Sequence, residues 1–250
     1  MPVQQEIKSQ LAKLLATEDL VVEHRKVATA QFDVHSRVLT LPMWESASNS
    51  VYDLLVGHEV GHALFTPDED PPEGVPHSFI NIVEDARIEK LMKRKYPGMN
   101  KTFYRGYSEM NDDDFFSIID EDVNSMNLAD RTNLYFKIGN FVDIEFNEEE
   151  MNIVRMVADC ETFEEVGEAA RALYNYCKKE IKNETQDIDA SQSEQQSDEE
   201  QEDQSEQSQV DGMIEETTDE GGDTNGSYEE PEVQTADALS EAIDQLAQNS

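Results

Sequence analysis

The chain opens with apolar residues at helical spacing. Ile7, Leu11, Leu14 and Leu15 predict a helix that ends near Thr17. From Val21 the texture changes. Ala28 to Val34 and Arg37 to Leu41 read as strands parted by His35-Ser36, a hairpin in which Pro42 ends the second strand or places it at a sheet edge. The helical period returns at Val51, Leu54, Leu55, His58, His62 and Phe65. Ser50 with Asp53 has the form of a capping box at its start, and Pro67 closes it. Four prolines between positions 67 and 76 mark a loop, after which Ser78 caps a second helix from Phe79 to about Lys95, stopped by Pro97-Gly98. Further helical periods cover Asp112 to Ile119, Leu128 to Phe141, Glu148 to Asp159 and Phe163 to Ile181, with Asn147/Glu150 and Thr162/Glu165 as caps.

This pattern predicts an α+β domain over residues 1–183. It is mostly helical, with a small N-terminal hairpin or sheet packed on a helix pair and a helical C-terminal half. Beyond Asn183 the chain turns to Gln, Ser, Glu and Asp and has too little apolar surface to offset its conformational entropy, so 184–250 is expected to be a disordered acidic tail. Ala238, Leu239, Ile243 and Leu246 restore helical spacing and predict a short helix near 236–246.

Charge sharpens that division. Residues 181–250 hold 22 of the 56 acidic side chains and one of the 19 basic ones. A net charge of −37 works against nucleic acid and anionic membrane surfaces as partners. The basic group Lys90, Lys93, Arg94 and Lys95 reads as the wet face of a helix. The first fifteen residues lack the unbroken apolar core of a signal peptide, and no stretch approaches the ~20 apolar residues of a membrane span. Cys160 and Cys177 have no metal-type spacing and read as reduced, partly buried thiols, so a cytoplasmic location is expected.

The candidate chemistry lies in Gly57-His58-Glu59-Val60-Gly61-His62-Ala63-Leu64. Two histidines four apart on a helix share a face and can meet one zinc ion, while Glu59 reaches the space beside it and can serve as general base. Gly61 and Ala63 are small enough to admit a neighbouring element. A catalytic zinc takes a third protein ligand, and the second helix offers two. Glu84, among Ile80, Ile88 and Leu91, is an acid in an apolar sector and the preferred ligand. Asp85, beside Asn81, Met92 and Glu89, is the alternative, and Asp85 or Glu89 suits orienting a ligating histidine from behind. His77, Tyr104, Arg105 and Tyr107 are unranked candidates for stabilising an oxyanion, and a Pro42-bounded edge strand could receive an extended peptide. His24 and His35 read as structural or exposed. The acidic runs 112–114 and 120–122 lack the ligand alternation of a calcium loop.

The expected activity is that of a zinc-dependent metalloendopeptidase acting on protein or peptide through water activated by the metal, with Glu59 as base. A different class, a non-catalytic zinc-containing accessory protein, would need a fourth protein ligand and has no use for Glu59.

The runs GHEVGHALF, FDVHSRVLTLP and NIVEDARIEKL together resemble metallopeptidases inferred in tailed phages, notably those infecting cyanobacteria. The last run is also similar to the Glu-Asp-x-Arg segment of proteins that carry a von Willebrand A domain, such as a cobaltochelatase subunit. The resemblance is specific over residues 20–100 and loose to about 180. It implies a zincin-like helix pair and a gluzincin-like site in which His58, His62 and Glu84 hold zinc and Glu59 is the base. It also implies the host cytoplasm as the location and an AAA+ ATPase, or a chelatase-like complex, as partner. Such proteins often continue into a von Willebrand A domain with a DxSxS magnesium motif, and no such segment occurs here.

Overall fold

The computed structural model describes residues 9, 12, 21–25, 31–33, 35–42, 48–196 and 230–235. The opening helix predicted over 7–17 lies outside them apart from Ser9 and Ala12, both helical. Strands β1 (Val21–Arg25), β2 (Gln31–Asp33) and β3 (Val38–Pro42) form a sheet in the order β1-β3-β2. The predicted hairpin is the antiparallel β2/β3 pair, with Phe32 opposite Leu39. Its turn is held by Asp33, whose carboxylate accepts the His35 and Ser36 N–H groups, and by Arg37 in the left-handed region at φ 55°. Strand β1 pairs parallel to β3, which makes β3 the central strand. Of the two readings of Pro42, that it ends its strand is the one observed, and an edge position is not. Pro42 ends the middle strand opposite Arg25, where a missing N–H costs the ladder little.

Helix α1 (Asn49–Phe65) starts two residues earlier than the Ser50 capping box predicts. Ser48 is the N-cap and its hydroxyl accepts the Val51 N–H at 3.1 Å. Helix α2 (His77–Lys95) follows Pro76 directly, so Ser78 lies inside the first turn and does not cap it. The period Met99, Phe103, Tyr107, Met110, all buried, belongs to a further helix, α3 (Met99–Asp112), that the Pro97-Gly98 stop had hidden. Of Asp112–Ile119, predicted helical, only Asp112 is, as the last residue of α3; 113–119 is a run of turns and bends. Asp114 takes φ 52° and its carboxylate accepts the N–H groups of Ile118 and Ile119, an alternative to helical pairing. A 3₁₀ turn at Val123–Ser125 leads to α4 (Leu128–Ile138), α5 (Glu148–Asp159) and α6 (Phe163–Gln196). Asn147 and Glu150 form the predicted capping box on α5, and Thr162 with Glu165 caps α6. Helix α6 continues past Asn183, where disorder was expected, to Gln196. The remainder of the expected tail, 197–229 and 236–250, lies outside the described residues, as does the predicted helix at 236–246.

The protein is thus α+β and mostly helical, with its small sheet at the N-terminal end. Two apolar clusters flank α2. One joins Leu39 and Leu41 of the sheet to Val51, Leu54 and Val56 of α1 and to α3; the other joins Phe79, Ile82 and Val83 of α2 to α4, α5 and α6. Fully burying each such side chain contributes about 1.5–3 kcal/mol, so α2 is fixed from both sides. A Cβ on Gly61 would stand 2.9 Å from Ile88 Cδ1 and 3.1 Å from Met92 Cγ, so the small residue expected there is what lets α1 and α2 approach. The two cysteines are free and buried. Among the described residues no helix is long and apolar enough to cross a membrane. The chain divides into two compact units, with breaks after Cys177 and Pro231; the site lies wholly in the unit that contains α1 to α5.

Candidate metal centre

Helix α1 places His58 and His62 one turn apart, and α2 crosses it so that Asp85 faces both. The two Nε2 atoms are 3.3 Å apart, and Asp85 Oδ1 lies 3.5 Å from that of His58 and 3.3 Å from that of His62. Tetrahedral zinc with bonds of about 2.0–2.1 Å separates its ligand atoms by about 3.3 Å, so this triangle has the size of one face of such a site.

The hydrogen bonds behind the imidazoles fix which nitrogens carry protons. His58 Nδ1 is 3.2 Å from Glu89 Oε1, and a carboxylate can only accept, so Nδ1 donates. His62 Nδ1 is 2.9 Å from Thr66 Oγ1, whose own proton goes to Glu84 Oε1 at 2.5 Å. The Thr66 hydroxyl must therefore accept from His62. In the neutral rings both Nε2 atoms are then unprotonated, and two lone pairs and a carboxylate oxygen converge on one point. That is a donor set that a borderline divalent cation such as zinc accepts.

The acid in this triangle is Asp85, and the expectation that Glu84 would ligate is corrected. Glu84 is buried in an apolar sector, as the wheel indicated, but Arg87 one turn on satisfies it, with Nε at 2.7 Å and Nη2 at 2.6 Å. The same guanidinium donates to Phe65 O, tying the end of α1 to α2. Glu89 takes the orienting role foreseen for Asp85 or Glu89, and it is itself held by Lys93 at 3.1 Å and by the Tyr107 hydroxyl.

Glu59 is buried beside the histidines. Burial raises its carboxyl pKa, with His58 and His62 pulling the other way, Asp85 adding to the rise and the Phe32 backbone N–H of β2 donating to the carboxylate. Burial works against ionised Asp85 too, but Lys137 and the two histidines outweigh it and hold that carboxyl well below the usual range. Lys137 Nζ is 3.1 Å from Asp85 Oδ2. Asp85 is paired with Lys137 and Glu89 with Lys93, and the third carboxyl, Glu59, adds negative charge that a proton on His58 or a cation at the triangle balances.

The four oxyanion candidates do not come together. His77 is exposed at the first residue of α2, roughly 12 Å along the helix axis from Asp85. Tyr104 is exposed and packs on Phe141, and Arg105 is exposed. Tyr107 is buried with its hydroxyl on Glu89, behind His58. Sequence reasoning missed Thr66 and Lys137. Thr66 had a readable signal, since it lies four residues past His62 on the same helix face; Lys137 comes from a distant helix and had none. Among the described residues, His58, His62 and Asp85 are the one group of three or more such side chains that could hold a metal. No protein-family model, curated protein or solved structure matches the chain.

Proposed function

We propose that the protein is a zinc-dependent metallopeptidase whose ion is held by His58, His62 and Asp85 and whose general base is Glu59. The observation that carries this reading is the triangle of Nε2, Nε2 and Oδ1 atoms 3.3 to 3.5 Å apart, with a buried carboxylate next to it on the same helix. Bound zinc would polarise a peptide carbonyl and lower the pKa of water in the site. The Glu59 carboxylate accepts the proton of the attacking water and returns it to the leaving nitrogen; its raised pKa suits a group that must both take and give. Glu89 and Thr66 hold the two rings with Nε2 toward the ion. Lys137 occupies Asp85 Oδ2, so that Oδ1 alone turns to the histidines. The sheet edge next to Glu59 is β2, and it takes the place of the Pro42 strand as the candidate for pairing with a peptide.

The test is metal content by mass spectrometry together with cleavage of an unfolded polypeptide by the wild type and by Glu59→Gln. Equal zinc in both, with cleavage at least ~100-fold slower in the variant, is the expected result. Equal cleavage by both removes Glu59 from the mechanism. Bound zinc with no cleavage by the wild type favours the non-catalytic reading.

A further inference from the structure

Residues 232–235 pack against α4 and follow a strongly acidic stretch of sequence. The chain between Gln196 and Glu230 is 33 residues with 13 acidic side chains and no basic one. Residues 230–235 alternate, with Glu230, Glu232 and Gln234 exposed and Pro231, Val233 and Thr235 buried. Val233 enters the apolar cluster formed by α2, α4, α5 and α6. Three side chains of α4 and its cap hold the backbone around it. Asn127 caps α4 through Oδ1, which accepts the Asp130 N–H, and with Nδ2 donates to Glu232 O at 2.8 Å. Asp130, 1 % exposed, accepts both the N–H of Thr235 at 2.6 Å and its hydroxyl at 2.7 Å on one oxygen. Asn133, 2 % exposed, donates to the same hydroxyl at 3.0 Å.

These contacts discriminate. A buried carboxylate that receives a backbone N–H and the hydroxyl of the same residue selects Ser or Thr, because any other side chain leaves an oxygen under-satisfied away from water. The apolar site two residues earlier takes a side chain of Val size. The polar groups of Asn127, Asp130 and Asn133 are thus arranged for a short linear peptide, and burial of Asp130 and Asn133 without one would be costly.

We propose that α4 carries a peptide-binding site for the pattern Val-x-Ser/Thr, and that residues 232–235 are its resident ligand, held in cis. This site is separate in its chemistry from the metal triangle and does not depend on the peptidase reading. Because it belongs to the same chain, the resident segment competes intramolecularly with outside ligands and shields the site from weak ones. Any outside ligand reaches the site by displacing residues 232–235.

The experiment uses the full-length chain carrying Val233→Asp and Thr235→Val, which disables the resident segment and leaves α4 intact. A fluorescent peptide spanning residues 228–236 is titrated against it by anisotropy. The peptide is expected to bind this chain at least ~10-fold more tightly than the wild type, whose own segment competes, and adding Asp130→Ala is expected to abolish the binding. A peptide whose Thr235 is replaced by Val should bind ~10-fold more weakly than the parent peptide. The proposal is overturned if the disabled chain, shown to be folded by circular dichroism, takes up no peptide, or if Asp130→Ala leaves uptake unchanged.

Discussion

Thr66 gives its proton to Glu84 and takes one from His62, so a single hydroxyl at the end of α1 decides which nitrogen of the second histidine faces the metal position. Glu84 acts on the site through that hydroxyl, and Arg87 fixes Glu84 in turn.

Removing the hydroxyl removes the constraint. Thr66→Val is expected to weaken zinc binding about 10- to 100-fold, and Thr66→Ser to preserve it, measured by competition with a chelating dye. Equal affinity in the three proteins would mean that His62 needs no partner at Nδ1.

The neighbouring acids of α2 should separate cleanly. Asp85→Ala is expected to lose stoichiometric zinc, whereas Glu84→Gln, which keeps an acceptor for Thr66, retains it. Glu84→Ala leaves the buried Arg87 without its carboxylate and should cost about 3–5 kcal/mol in urea unfolding. Zinc retained by Asp85→Ala and lost by Glu84→Gln would reverse the assignment.

Metal uptake should expel a proton. Burial lowers the pKa of His58, but Asp85, Glu89 and Glu59 outweigh it and hold the ring up at about 10. A folded value above the unfolded one of about 6.5 stabilises the metal-free chain fully below that pH, and the contribution is lost as pH rises through about 10. At pH 8 zinc must displace that proton, so calorimetric titration in phosphate and in Tris should give enthalpies that differ by close to one buffer ionisation. Identical enthalpies would show the ring already neutral.

Close packing of α3 on α1 rests on Gly106. A Cβ there would stand 2.6 Å from Leu54 Cβ and 3.0 Å from Ser50 O, neither of which can swing aside. Gly106→Ala is expected to destabilise by about 1–3 kcal/mol. Gly98, with ordinary φ of −62° and nothing within 4 Å of an added Cβ, is the control, and Gly98→Ala should be neutral or stabilising by up to about 1 kcal/mol.

Much of this was legible in the residues. His58, Glu59 and His62 stand together because their spacing is set by one helix, and local periodicity reports helices directly. The capping box at Asn147 and Glu150 was readable for the same reason, being satisfied within four residues. What could not be read depends on partners distant in sequence. Glu84 and Asp85 are adjacent, and choosing between them required knowing that Arg87 turns inward and that Lys137 arrives from α4. The parallel β1 strand was hidden likewise, since its partner lies across an intervening hairpin strand. Helix α3 was missed for another reason: Pro97-Gly98 marks a stop, but only three residues, Tyr96 to Gly98, separate the end of α2 from a new start at Met99.

The amide of Phe32 has a wider meaning. Strand β2 is at the edge of the sheet, and its Phe32 amide donates to the Glu59 carboxylate. Occupation of that donor by a guest and its retention by Glu59 are mutually exclusive. A polypeptide that took up that amide while docking along β2 would have to release the carboxylate first, which ties the position of the Glu59 side chain to whether this edge is covered.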